Sequence, residues 1–486
     1  MTKKTARKLG PANKPRPDIT TVVQLSAADK ARCPYYQVPF EVPQGTTRIE
    51  VRCRYASSEV CVIDLGAGDP VLTDFPSQGG LRGWSGGARS GFFIARDGAT
   101  PGYVAGDIAA GTWQVILGLY RVPQEPVSVR LDIWFSAEPR ALVQPMPVVD
   151  AVRRGAGWYC GDLQCHTFHS DAHGAPQHLH ETARREGLDF LAVTDHNTTT
   201  QQQAYFDAAS SADMVFVPAY EFTTEFGHAN VFGARQVFDF RVNGDADVVE
   251  MVRRIRASGA LFSINHDKPN IPWQYTVPEI DCMEVWQTHW LAGNHTSLMR
   301  YQQRLAEGRR ITALGSSDFH QPALEPEGNL FTLGRPSTFL WLEQLSVTAV
   351  LEALRRGRSF VSESPKGPML TIRAGTARHG DTCSPGRVEL SLSATRAQGD
   401  MLHIWDATGM ICKLPIDAAD WHATVALDQP HGFVRAEIVA VKSRQKILDD
   451  LLEFLGDRRP GHSLWDDSVN HPIRRALTSP IYIAAS

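Results

Sequence analysis

GDLQCHTFHSDAHG, residues 161 to 174, puts three histidines and two aspartates into fourteen positions directly after the apolar WYC. A strand that ends in ligand-type side chains marks the active face of folds built from parallel strands, because their C-terminal strand ends converge. Working outward, the same event recurs. FLAVTDH ends at His196, VFVPAYE at Glu221, LFSINH at His266, and ITALGSSDFH at Asp318 and His320. Alone, a histidine is ordinarily a satisfied structural residue, and an Asp or Glu after a strand is often a helix N-cap. Five such strand ends together point to a metal centre.

The segments between them alternate. LHETARREGL (179 to 188) and DADVVEMVRRIRASG (245 to 259) have helical spacing, stop at Gly187 and Gly259, and lead into the strands DFLAVTD (189 to 195) and ALFSINH (260 to 266). This βα alternation predicts an α/β region with a mainly parallel sheet or barrel over 151 to 366. Before it, YYQVPFEV, RIEVRCRY, TWQVILGLY and VSVRLDIWF predict a β-sandwich over 31 to 150, behind a disordered basic arm at 1 to 30. The glycine-rich GLRGWSGGARSG (80 to 91) lacks a GK[ST] ending and a following helix, so it reads as a tight connection rather than a ligand loop. After it, PMLTIRAG, VELSLSA, MLHIWDA and GFVRAEIVAV predict a small β-rich domain with a tail, 367 to 486. That tail holds a helix over KILDDLLEFL and a terminal LTSPIYI laid back on the body.

Bulk properties exclude several classes. The 486 residues carry a net charge of −4, with 43% hydrophobic and 21% charged residues, so no global field steers the chain to nucleic acid or to an anionic membrane. No apolar run approaches the roughly 20 residues of a spanning helix, and MTKKTARKLGPANKPRP lacks the apolar core of a secretory signal. The eight cysteines form no CxxC pair and read as reduced thiols. The expectation is a cytoplasmic protein with a small-molecule partner, no nucleic acid, no membrane and a possible homo-oligomeric state.

As an ordered set, GDLQCHTFHSD, TDH at 194 to 196, Glu221, GH at 227 to 228, NH at 265 to 266 and GSSDFH at 315 to 320 resemble the motifs of the polymerase-and-histidinol-phosphatase (PHP) superfamily. The stretch from GWSGGARSG to VILGLY and the terminal ALTSPIYI resemble its CehA/McbA branch, which includes a carbaryl hydrolase. The likeness covers almost all of the chain after residue 30. It implies a distorted (β/α)7 barrel flanked by the two β-regions and holding two or three divalent ions, Mn, Zn or Fe. Carried over residue by residue, His166, Glu221 and Asp318 would hold one ion. Glu221 would bridge to a second held by His228 and His266, and Asp171, His196 and His320 would hold a third. Imidazole and carboxylate donors suit such metals. The departure is Gln164, where the family's first motif usually has a histidine; a neutral carbonyl oxygen is the poorer donor.

The implied activity is hydrolysis of an ester, phosphoester or aryl carbamate or carboxylic ester, by a metal-bound hydroxide, with Glu221 and Asp318 at the reacting centre. His289, in VWQTHW, stands where a general acid is wanted. Lys268 and Arg335 are placed to balance an anionic substrate, and Trp273, Tyr275, Trp286 and Trp290 to enclose an aryl group. Asp195 either orients His196 or caps the following turn, and His169 and His173 flank Asp171 as bystanders or supporting residues. Strand alternation turns Cys165 away from any site that His166 faces. The alternative to an enzyme is a metal-depleted barrel kept as a binding or scaffolding protein with carbohydrate- or protein-binding sandwiches.

Overall fold

The structure, a computed structural model, describes residues 16–142, 155–208, 214–320, 330–456 and 467–485. In the N-terminal region, strands Ile19–Leu25, Val127–Ser136, Arg48–Arg54 and Gly91–Ala95 form one antiparallel sheet. Tyr35–Val42, Gly111–Arg121, Val62–Gly68 and Leu81–Trp84 form a second. Alternation sends Ile49, Val51 and Leu131 of one and Ile63, Leu65 and Val115 of the other into a shared apolar core, the arrangement of a β-sandwich. Residues 19 to 25, counted with the basic arm from composition, are its edge strand: ITTVVQL alternates half-buried and exposed positions and closes on the buried Leu25. Residues 1 to 15 of that arm lie outside the described residues.

The central region has α/β content but is mostly sheet, and its strands divide between two sheets. In one, Gly157–Asp162 has Phe190–Leu191 and then Val215–Phe216 parallel on one side, and Ser337–Leu342 and then Ser359–Ser362 antiparallel on the other. In the other, Ala219–Thr224, Gly227–Phe232 and Leu261–Ile264 pair antiparallel, and Leu261–Ile264, Cys282–Gln287 and Thr312–Ser316 pair parallel. Single parallel bridges, His196 to Glu221 and Cys165 to Phe319, join the two. Pairing is therefore mixed, and among the described residues the ladder does not run continuously around a ring. The reason is local: after Ala219–Thr224 the chain reverses through Glu225 and Phe226 into Gly227–Phe232, with no helix between to restore direction.

The helices follow their sequence signals. Pro176–Glu186 is closed by Gly187 at φ 81°, and Asp245–Ala257 ends two residues before Gly259 at φ 88°. Gly161, the first residue of the opening motif, is required by packing, since a Cβ there would lie 2.2 Å from the Phe190 ring.

Toward the C-terminus, Arg474–Thr478 pairs with Ser359–Ser362, so Phe433–Val439, Met401–Asp406 and Gly409–Pro415 extend the first central sheet. A four-stranded sheet built on Met369–Ala374, Arg387–Thr395 and Asp420–Asp428 covers that extension over Leu370, Leu392, Ile404 and Ile438. The expected helix is Arg444–Leu455. All eight cysteines are free. No helix among the described residues is long and apolar enough to cross a membrane.

Candidate metal centre

The ligand-type residues singled out at strand ends meet. His166 Nε2 lies 3.0 Å from Asp318 Oδ1 and 3.5 Å from Glu221 Oε2. His196 Nδ1 is 3.0 Å from Glu221 Oε2, and its Nε2 is 3.5 Å from Asp171 Oδ1. His228 and His266 approach the other oxygen of Glu221, at 3.4 and 3.3 Å. His320 Nε2 is 3.5 Å from Asp171. Two overlapping groups emerge whose donor atoms lie within 4.8 Å of one another: His166, Asp171, His196 and His320, and His196, Glu221 and His228. His196 belongs to both, and His166 stands with the group that the resemblance reserved for Asp171, His196 and His320.

These contacts fit a metal better than they fit hydrogen bonds. His166 Nε2 and Nδ1, Glu221 Oε2, Asp318 Oδ1 and His266 Nδ1 are buried without a hydrogen-bond partner, although opposing donor atoms stand only 3.0 to 3.5 Å apart. Buried polar atoms are almost always paired, and separations of about 3 Å match neighbouring ligands on a metal with bonds of about 2.1 Å.

The charge balance agrees. Burial opposes a proton on His196, but Asp171 and Glu221 outweigh it and push the imidazole up to about 10. His320 rises to about 9 against the same burial penalty, held by Asp318 and Asp171. Asp171, Glu221 and Asp318 lie below the ordinary carboxylate range because neighbouring imidazoles overcome burial. Three carboxylates thus favour positive charge at this site.

Gln164 has a defined task. Its Nε2 donates to Glu221 Oε1 at 2.9 Å, and Asn265 Nδ2 donates to the same oxygen at 2.8 Å. Two amides therefore hold one side of Glu221 and leave Oε2 facing His166 and His196. The Gln164 carbonyl oxygen is buried without a partner, so a donor atom remains available there.

Supporting residues fix the loops. Asp195 accepts from Thr167 N at 2.8 Å, Ser170 N at 3.1 Å and both hydroxyls, and so anchors the loop carrying Asp171. Asp162, missed from the sequence although it sits in the opening motif, accepts from the backbone of Gln164, Ser317 and Gly334 and so ties the first motif to the last. Asp318 Oδ2 accepts from Gln287 Nε2 at 2.7 Å, and Lys268 donates to Gln287 Oε1. Among the described residues, four of the six non-glycine residues with positive φ, Asn197, His266, Thr288 and Asp318, lie at these strand ends. Strain of that kind persists where surrounding contacts enforce it.

Other candidates stand elsewhere. Lys268 is buried, 2% exposed, and burial lowers its ammonium to about 8; it reaches Asp318 through Gln287 rather than facing open space. His289 and Arg335 are not brought into the cluster. Both line a cavity of about 230 Å³ with Trp286 and Trp290, sharing no lining residue with the cavity at Asp171, His196 and His228. Thr288, at φ 53°, turns the chain there as strand Cys282–Gln287 ends, and burial lowers His289 to about 4. Trp273 and Tyr275 are core residues. His169 Nδ1 meets Thr200 Oγ1 at 2.8 Å, His173 is exposed, and Cys165 is buried with Sγ 3.5 Å from Ala192 O.

No family model matches the chain, and no curated protein matches it in sequence. Among solved structures it is similar to a two-domain protein from Bacteroides vulgatus containing a predicted PHP-like metal-dependent phosphoesterase, at 18% identity over 62% of this chain and 95% of that one, TM-score 0.38. It is also similar to a protein from Bifidobacterium adolescentis provisionally assigned as a metal-dependent phosphoesterase, at 17% identity over 40% of this chain and 96% of that one, TM-score 0.28. These scores are low, and the chemistry of the centre rests on its own geometry.

Proposed function

We propose that this chain is a divalent-metal-dependent phosphoester hydrolase on a distorted PHP-type barrel, with Mn, Zn or Fe held by His166, Asp171, His196, Glu221, His228, His266, Asp318 and His320. One observation carries the reading: donor atoms from separate strand ends converge to 3.0 to 3.5 Å while several of them, fully buried, have no hydrogen-bond partner. When bound, such ions would bring the pKa of a water toward about 7 and polarise the attacked ester. The chain's own part is orientation. Gln164 and Asn265 hold Glu221, Gln287 holds Asp318, and Asp195 holds the Asp171 loop. His196 and His320 would bind a cation through neutral imidazoles, so protons held there would be released on binding.

Trp286 and Trp290, expected to enclose an aryl group, line the other cavity, while Tyr35 and Trp84 border this one, so an aryl carbamate or carboxylic ester is kept as the second substrate class. The division at 150 and 366 belongs to the same proposal. The alternative of a metal-depleted binding protein rests on Gln164, which replaces one donor of nine and leaves the other eight converged. The test is metal analysis of protein purified without chelator. Turnover follows, after loading with each metal, on nitrophenyl phosphate, bis-nitrophenyl phosphate, nitrophenyl acetate and naphthyl N-methylcarbamate. Bound metal with turnover of a phosphate ester is expected; protein with no stoichiometric metal and no turnover overturns the reading.

A further inference from the structure

The cavity of about 360 Å³ that opens on Asp171, His196 and His228 is walled on its far side by the N-terminal sandwich, through Tyr35, Asp64, Trp84 and the Ser85–Gly87 loop. The glycine-rich segment therefore borders the site instead of merely joining two strands. The contact is built. Arg89 donates to the carbonyls of Phe168 and Ser170, and Gly102 exchanges hydrogen bonds with Thr200 and Thr198. At Gly102, φ 94°, a Cβ would lie 2.7 Å from His169 O, so the sandwich presses directly on the loop that carries Asp171. Tyr35 and Trp84 pack edge to face with Phe240 of the central region and make the cavity floor rigid.

Besides Asp171, two acids line this cavity, Asp64 from the sandwich and Glu225 from the central region. Glu225 is paired with Lys30, which also donates to Tyr120 O at 2.9 Å. Asp64 has no hydrogen bond or ion pair among the described residues; its Oδ1 lies beside the Gly86–Gly87 backbone, where added Cβ atoms would meet it at 3.9 and 3.5 Å. Burial, with Glu225 and Asp171 acting against the pull of His196, pushes Asp64 up to about 7.

Resting on the hydrolase reading above, we propose that the N-terminal sandwich reads the leaving group, and that Asp64 over the Tyr35–Trp84 floor selects a polyhydroxylated alcohol, a sugar or polyol. A carboxyl takes hydroxyl hydrogen bonds while an aromatic face takes the apolar face of the carbon skeleton. Loss of such a bond to a charged group is worth about tenfold or more. The test compares wild type and Asp64→Asn, loaded with Mn²⁺, on the phosphate monoesters of glycerol, inositol, glucose, ethanolamine and 4-nitrophenol. The ratio of kcat/KM for polyol esters to that for nitrophenyl phosphate should fall about tenfold, chiefly through KM, with metal content unchanged. An equal loss on every ester, no loss on polyol esters, or a loss confined to the ethanolamine ester overturns the proposal. If Asp64→Asn melts early, Asp64→Glu, which moves the carboxylate by one methylene, must shift the same ratio. If no ester is turned over, the hydrolase reading fails alone: calorimetry with inositol and glucose phosphates must then show weaker binding to Asp64→Asn than to wild type. No difference there overturns this proposal too.

Discussion

The two sides of the donor cluster are built on opposite principles. Around Asp171, charge is left open: the carboxylate is half-exposed and faces His196 and His320, each 3.5 Å away, whose imidazoles it helps to raise. Around Glu221, charge is buried, and amides from Gln164 and Asn265 tie down one oxygen before His228 and His266 reach it. One side is open to solvent; the other is pre-set by neutral hydrogen bonds. A cluster divided this way asks which side governs metal content and which only shapes it.

The largest effect falls on the shared residue. His196→Ala removes a donor from both groups and should lower both bound metal and turnover by at least about a hundredfold, more than losing an outer partner costs. Full metal content by mass spectrometry would break the two-sided picture. Next, Gln164→Ala should weaken metal affinity about tenfold by freeing Glu221, whereas Gln164→His should add a donor and raise the metal bound per chain. Unchanged content in both variants would make the glutamine a bystander.

The comparison sharpens with pH. His196 and His320 have folded values of about 10 and about 9 against about 6.5 unfolded, so their stabilisation is complete below about 6.5 and is lost as pH rises through 9 to 10. The melting temperature of metal-free protein should therefore fall over that window, while metal-loaded protein, whose imidazoles are already neutral, should hold steady; parallel profiles would refute it. The smallest effect is expected of His289→Ala. Its cavity is separate, and its loss of turnover should be far less than that of His196→Ala. A matching loss would return His289 to the reacting centre.

Much of the centre was legible because ligand chemistry is written in residue type. His166, His196, Glu221, His266, Asp318 and His320 follow apolar runs, and the strand ends do converge. Where His289 and Arg335 stand was not legible, because position after a strand says nothing about where the chain turns next; Thr288, at φ 53°, lines a second cavity with His289 and Arg335. The glycine-rich segment looked like a plain connection because the partners of its Arg89, Phe168 and Ser170, lie some eighty residues away.

What the sequence determined by itself is the donor inventory, the helix stops at Gly187 and Gly259, and the alternation that builds the sandwich, all of which depend on local periodicity and side-chain chemistry. What only the tertiary structure decided is direction and neighbourhood. The reversal at Glu225 and Phe226 mixes the sheet, Arg474–Thr478 extends it, Gln164 turns its amide to Glu221, and the sandwich closes the cavity with Asp64. These depend on contacts between residues distant in the chain, which no local pattern encodes.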